Sequence, residues 1–330
     1  MAERLKAPVL KTGELKGSVG SNPTLSAIMR IMMNDTAIVT CFYTNLYGTK
    51  YGGRLGREAH YLESLISLLK ITNADFIIYC DPSQKEVLQE RVEPLNKTNV
   101  KIVGYSLDNF YMRDLFARYK NTEAAISSQR CQELQYLKTY WMNKLKGYDY
   151  VFWIDIGISY SGLIPDKHLI FQKEIEYFNS GLFCDDLIIG MKKAAQDKFL
   201  MLAINNHFPN LYRFLIDAYY DKKLTEIPHH AIGGILGGKK EIVYRFQNMF
   251  STLAEDVIMN IKEVHDEESI YNILLDRNPD MFNVQTFDMW WHEDNLHSIY
   301  SDNLEQIEEV KHLKSFYNIL EDLVNLGKQP

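Results

Sequence analysis

The sequence has little of several things, and each shortage removes a class of function. It has no run of about 18 apolar residues, so no membrane-spanning helix is expected. Its start, Met1-Ala-Glu-Arg-Leu-Lys6, lacks the apolar centre and small-residue cleavage site of a secretory signal, and a cytoplasmic protein is expected. Only four cysteines occur, Cys41, Cys80, Cys131 and Cys184, at no metal-type spacing. Three of them lie in or beside apolar runs, which suits buried free thiols in a reducing compartment. Positive charge is short as well. The 36 Lys and Arg against 43 Asp and Glu leave a net charge of -7, and a nucleic-acid grip needs a concentrated basic surface. Glycines 48, 52, 53 and 56 do not spell the GxGxxG fingerprint, which disfavours a dehydrogenase. No Gly-x-Ser-x-Gly elbow, His-Glu-x-x-His helix, internal repeat or low-complexity tract is found.

What remains is a chain of 330 residues, 46% hydrophobic and 12% aromatic, enough for a large core in one big domain or two small ones. Residues 1–35 read as an arm broken by Gly13, Gly17, Gly20 and Pro23, with one short helix over Thr24–Met33. Strands are predicted at Ala37–Tyr43, Phe76–Cys80, Val100–Tyr105 and Tyr150–Ile154, and helices at Arg57–Lys70, Ser83–Arg91 and Gln129–Lys146. The last carries Leu134, Leu137, Trp141 and Leu145 on one side. Residues 106–128 read as loop. This alternation is the α/β doubly wound pattern. Further on, Leu187–Met191 reads as a strand, Leu211–Tyr219 as helical, and Ile232–Gly238 as a glycine-studded strand. Helices are expected over Lys239–Phe250, Thr252–Ile261 and Ser269–Asp276, and a last strand at Met281–Val284. The tail opens on Asp302 and Glu305, spaced as a capping box. Leu304, Ile307, Val310, Leu313, Phe316, Leu320 and Leu323 then give it one apolar face. The natural division is a 1–35 arm, a 36–300 domain with halves 36–157 and 158–300, and a 301–330 helix.

Four constellations carry the chemistry. Asp155 is the first polar residue after the apolar run Tyr150–Ile154, and in open α/β sheets the ligand lies beyond the carboxyl ends of the strands. A capping Asp at a strand corner is the plainer alternative. Glycines 233, 234, 237 and 238 weaken a strand, so they call for close approach of a ligand or of other backbone. Gly233 to Lys239 nearly spells a P-loop, but Lys240 stands where Ser or Thr must hold magnesium. His265-Asp-Glu-Glu268 places three acids at a helix start, where the dipole favours them, yet three consecutive acids cannot all cap. Trp290-Trp-His-Glu-Asp294 could hold a sugar ring, or a metal through His292, or form a surface lid.

The run Ile232-Gly-Gly-Ile-Leu-Gly-Gly-Lys-Lys-Glu-Ile-Val-Tyr-Arg-Phe246, followed by Val264-His-Asp-Glu-Glu268 and Ile273-Leu-Leu-Asp-Arg-Asn-Pro279, resembles the ABO blood-group and α-1,3-galactosyltransferase family. The order fits upstream too, with Phe42-Tyr43-Thr44 in place of the strand that grips the nucleotide, Arg130 on the helix before the metal motif, and Asn179–Phe183 after it. The Trp153-Ile-Asp-Ile-Gly157 string is also similar to HtrL/YibB-type glycosyltransferases. The resemblance implies a GT-A fold, a Rossmann-like mixed sheet with helices on both faces. It implies a hexosyltransferase moving sugar from a UDP-sugar donor to a carbohydrate or glycan acceptor, with retention. Phe42, Tyr43, Thr44, Arg130, Trp153 and Asp155 are then expected at the nucleotide. Gly233, Gly234, His265 and Asp266 are expected at the sugar or acceptor, with Glu267 and Asp266 catalytic. Asp155 would hold Mn2+ or Mg2+. The family's Asp-x-Asp is here Asp155-Ile-Gly157, so the second acid is missing, and Arg130 or Lys138 could meet the diphosphate charge instead. Two alternatives remain, a sugar-nucleotide-binding or lectin-like protein that lost turnover, and a nucleotidyltransferase needing a nucleoside triphosphate and a sugar phosphate.

Overall fold

The central strands are apolar at almost every position because both faces of the sheet are covered, and alternate side chains serve different cores. A computed structural model describes residues 34–43, 58–121, 129–156, 181–204, 230–287 and 316–330. In β1 (Thr36–Phe42), Ala37, Val39 and Cys41 face one core and Ile38 the other. Likewise β2 (Asp75–Cys80) sends Ile77 and Tyr79 one way and Phe76, Ile78 and Cys80 the other. β5 (Tyr150–Ile154) divides Val151 and Trp153 from Phe152 and Ile154.

With β3 (Val100–Gly104), β6 (Phe199–Ile204), β7 (His230–Lys239) and β9 (Phe282–Phe287), these strands form a seven-stranded sheet of order β3-β2-β1-β5-β7-β6-β9. Neighbours are parallel except at β7, which is antiparallel to both β5 and β6. A second pairing joins β4 (Lys120–Asn121) to β8 (Glu263–Val264). One face of the large sheet packs helices α3 (Arg113–Arg118), α4 (Gln129–Lys144), α6 (Lys240–Ile261) and α7 (Glu267–Arg277). The other packs α1 (Glu58–Leu68), α2 (Lys85–Val92), α5 (Asp185–Ala195) and α8 (Phe316–Lys328). The fold class expected from sequence, a mixed α/β sheet with helices on both faces, is the one observed. Residues Asn34–Pro330 form one compact unit. Among the described residues no helix is long and apolar enough to cross a membrane.

Several elements differ from the sequence reading. Leu187–Met191 is not a strand but the middle of α5. Asp185 and Asp186 stand in that helix's first turn and Lys192 and Lys193 in its last, charges that suit its dipole, while Leu187, Ile188, Met191, Ala194 and Ala195 are buried. β6 has no counterpart in the sequence reading. The two helices expected over 239–261 are one, α6. Residues 106–128 contain a 3-10 turn at Leu107–Asn109, then α3 and β4. The expected features at Thr24–Met33, Thr44, Gly48–Gly56, Gly157, Asn179–Ser180, Leu211–Tyr219, Trp290–Asp294 (His292 included) and 301–315 lie outside the described residues.

Candidate functional site

The pairing of β5 with β7 continues one step past the last strand pair, Ile154 with Ile235. The backbone N–H of Asp155 donates to the carbonyl of Gly234 at 2.8 Å. This fixes Asp155 at the carboxyl end of β5, where the sheet turns from parallel to antiparallel. The fully buried Trp153 fixes its side chain, for the indole Nε1–H donates to Asp155 Oδ1 at 2.8 Å. The Asp155 side chain is 36% exposed. Trp153, expected at the nucleotide, instead lies in the core and positions the carboxylate.

From below, α4 delivers a cation. Lys138 follows the buried Leu137, and its side chain is 9% exposed. Its Nζ donates to Glu267 Oε1 at 2.9 Å, to Asp155 Oδ2 at 3.3 Å and to the Gly233 carbonyl at 3.3 Å. It also lies 5.7 Å from the centre of the Trp153 ring, on the attractive π face. Burial acts to strip Lys138 of its proton, but the carboxylates of Asp155 and Glu267 outweigh it and hold the ammonium well above its usual range.

From the side, α7 delivers Glu267. The helix starts at Asp266, an extended N-cap with φ -69 and ψ 162, whose Oδ1 accepts the Ser269 N–H at 2.8 Å and whose Oδ2 accepts the Ser269 hydroxyl at 3.3 Å. Asp266, expected to act on the sugar, is thus committed to capping. Glu267, the first helical residue, is 1% exposed, and its Oε2 has no hydrogen-bond partner among the described residues. Glu268 accepts the Gly233 N–H at 3.1 Å, and Asn272 Oδ1 accepts the Ala231 N–H at 2.8 Å. The register of β7 against β6 slips there from Met201–Leu236 to Leu202–Ile232, which leaves Gly233 without a partner on β6, and Glu268 takes up its N–H. Loss of solvent, and then the charge of Glu267, push the Glu268 carboxyl up.

The glycines now have reasons of two kinds. At Gly233 a Cβ would stand 2.7 Å from Lys138 Nζ and 2.8 Å from Glu267 Oε1, so the missing side chain is the space the ion pair fills. At Gly237, φ is +141 and a Cβ would lie 2.3 Å from the Val151 carbonyl, so this glycine serves the packing of β7 on β5.

Other expected residues are placed differently. Arg130, in the first turn of α4, pairs with Asp108 at 2.7 Å and Glu133 at 3.0 Å. It precedes Lys138 by about 12 Å of helix axis. The Tyr43 hydroxyl donates to the Tyr105 carbonyl at 2.6 Å, and its ring lies parallel to Trp141 with centres 6.2 Å apart. Phe42 is half-buried against the opposite core. His265 is buried, its carbonyl accepts the Tyr136 hydroxyl at 2.9 Å, and burial lowers its ring to about 4.

A divalent cation fits these residues poorly. Among the described residues no group of three His, Cys, Asp or Glu could hold one. Of the expected ligands only Asp155 is described, and both its oxygens already accept a hydrogen bond, one from an ammonium. Lys138 as the partner of both acids was not foreseen. The signal was present, since Leu134, Lys138, Trp141 and Leu145 share a helical face, and a lysine there interrupts an apolar stripe.

No family model matches the sequence, and neither does any curated protein. Among solved structures the chain is similar to mouse xyloside xylosyltransferase 1 in its apo form, at 10% identity and a TM-score of 0.46, over 76% of this chain and 84% of that one. It is also similar to 4-diphosphocytidyl-2C-methyl-D-erythritol synthase from Anaerococcus prevotii DSM 20548, at 12% identity and a TM-score of 0.37, over 83% and 94%. Neither likeness is close enough to bear on the chemistry of the site.

Proposed function

We propose that this chain is a GT-A glycosyltransferase that moves a sugar from a UDP-linked donor to a carbohydrate acceptor with retention. One observation carries the reading. A partly exposed carboxylate, Asp155, stands at the carboxyl end of a central strand where the sheet changes direction, and a buried carboxylate, Glu267, is joined to it through one ammonium. The edge beyond the carboxyl ends is where open α/β sheets take ligands. Asp155 would face the nucleotide side. Glu267 Oε2, the oxygen that Lys138 leaves free, would face the anomeric carbon. In the transfer, the bond from that carbon to the diphosphate oxygen breaks and UDP leaves with the electron pair. The acceptor hydroxyl oxygen forms the new bond, and its proton passes to the leaving diphosphate. A carboxylate opposite the leaving group steadies the positive charge or forms a transient ester, as in retaining glycosidases.

The test is UDP release from a panel of UDP-sugars. Glu267→Gln should lower kcat by about a thousandfold while the donor Kd stays nearly constant, because the lost charge matters mainly in the transition state. The variant also leaves Lys138 with one acid fewer, so a lower thermal midpoint is expected and decides nothing. An unchanged kcat would remove Glu267 from the chemistry. The near-complete burial of Glu267 favours a second reading, a protein that binds nucleotide sugars without turnover. Tight donor binding with no UDP release would select it.

A further inference from the structure

We propose that the Lys138 ammonium is the resident cation of this site, standing where a divalent metal would bridge Asp155 and Glu267, and that nucleotide diphosphates are taken without such a metal. The nucleotide half of this proposal rests on the donor reading above; the cation half stands on geometry alone.

The ammonium is housed as a metal would be. An ammonium has three N–H donors, and all three are met by oxygens, from Glu267, Asp155 and the Gly233 backbone. Its remaining side meets the face of Trp153. β7 makes room for it, since any side chain at position 233 would collide with Nζ. The carboxylate that a metal would need most, Asp155, is fixed from its other oxygen by the Trp153 indole. A dication on Asp155 would have to share the carboxylate with the indole and the ammonium and sit beside a positive charge that is itself buried, where like charges repel.

The same arrangement shows how a phosphate could be met. The bond to Glu267 is the short one, at 2.9 Å, and both its ends are buried. The bond to Asp155 is longer, at 3.3 Å, and its acid end is partly exposed. A phosphate oxygen arriving at the strand end can take over the N–H that Asp155 now holds, exchanging one anion for another while the Glu267 pair stays in place.

Manganese alone is the first probe, read by the loss of its free electron-spin-resonance signal on titration with protein. The wild-type chain should bind no manganese below millimolar concentrations. Lys138→Ala removes the cation and leaves two carboxylates around an open space, so it should bind manganese at least about tenfold more tightly. Lys138→Ala with Glu267→Gln, which lacks the second acid, should lose that gain. The second probe is UDP, followed by calorimetry with EDTA or with manganese. Wild-type affinity should be the same in both, whereas any UDP binding by Lys138→Ala should require manganese. Micromolar manganese binding by the wild-type chain that Asp155→Asn abolishes would overturn the proposal, and this arm decides even where Lys138→Ala does not fold. Failure of UDP to bind under every condition would sink the donor reading and leave the manganese result standing.

Discussion

At the scale of single residues, burial decides which groups keep their charge. His265 is 7% exposed, and burial lowers its ring from the usual 6.5 to about 4. Glu263, 3.9 Å away and half-exposed, does not hold a proton on it. The unfolded chain takes up that proton near pH 6.5 and the folded chain only near pH 4. Between those values the unfolded state binds more protons, so stability rises with pH. The contribution is complete above the upper value and fades by up to about 3 kcal/mol towards the lower one. His265→Gln should flatten this part of the pH dependence, measured as unfolding free energy in urea at several pH values. Parallel curves for the two proteins would mean the ring is hydrated. Legibility at this scale was uneven. Asp155 stands out in the sequence at the end of an apolar run, whereas Glu267 is singled out only by the resemblance, since an acid at a helix start reads first as a cap. Asp266 could not be told from Glu267, because three adjacent acids present one pattern and only the cap geometry separates them. The resemblance puts Trp153 at the nucleotide and the structure puts it in the core, because a strand apolar at every position does not show in sequence which way each side chain points.

At the scale of elements, close backbone contact matters more than propensity. α5 and α8 touch main chain to main chain. A Cβ at Gly190 would fall 1.7 Å from the Leu323 carbonyl, and one at Gly327 would fall 1.9 Å from that of Asp186. Gly190→Ala should therefore unseat α8, uncover Ile319, Leu320, Leu323 and Val324, and cost about 3 kcal/mol or more. Urea denaturation gives the loss, and limited proteolysis should show cleavage in 316–328 that the parent resists. An unaltered midpoint would mean the helices do not meet at Gly190. This contact also explains the misreading of α5. Leu187, Ile188, Gly190 and Met191 are buried between the sheet and α8 while Ile189 is exposed, and an apolar run this short carries no readable period. The flanking Asp185–Asp186 and Lys192–Lys193 pairs were the usable sign, since a strand has no dipole for them to match. β6, hidden between β7 and β9, was missed because its apolar run stands immediately after a helix not yet recognised as one.

At the scale of the whole molecule, one sheet crosses the division suggested by sequence. β1 and β5 come from the earlier half, β6, β7 and β9 from the later, and they are hydrogen-bonded in one series. The halves share both cores. They should unfold together. Amide exchange at rising urea should give central amides of β1 and β7 the same opening free energy, within about 1 kcal/mol. A clear gap between them would mean that the two halves open separately. The alternation of strands and helices made the α/β class legible from sequence, but direction was not, since a strand's residues look alike whichever way it runs. The reversal at β7 is visible only from its partners, and it is the reversal that sets Gly234 beside Asp155.

The bond between the Trp153 indole and Asp155 has an optical consequence. An indole's emission responds to charge placed against its ring. This one has an ammonium near its face and a carboxylate on its nitrogen, and both belong to the site. Any event that moves either charge, whether ligand arrival, protonation or exchange of the cation's partner, alters the ring's surroundings. The chain thus carries its own gauge of the state of its site, with no label attached.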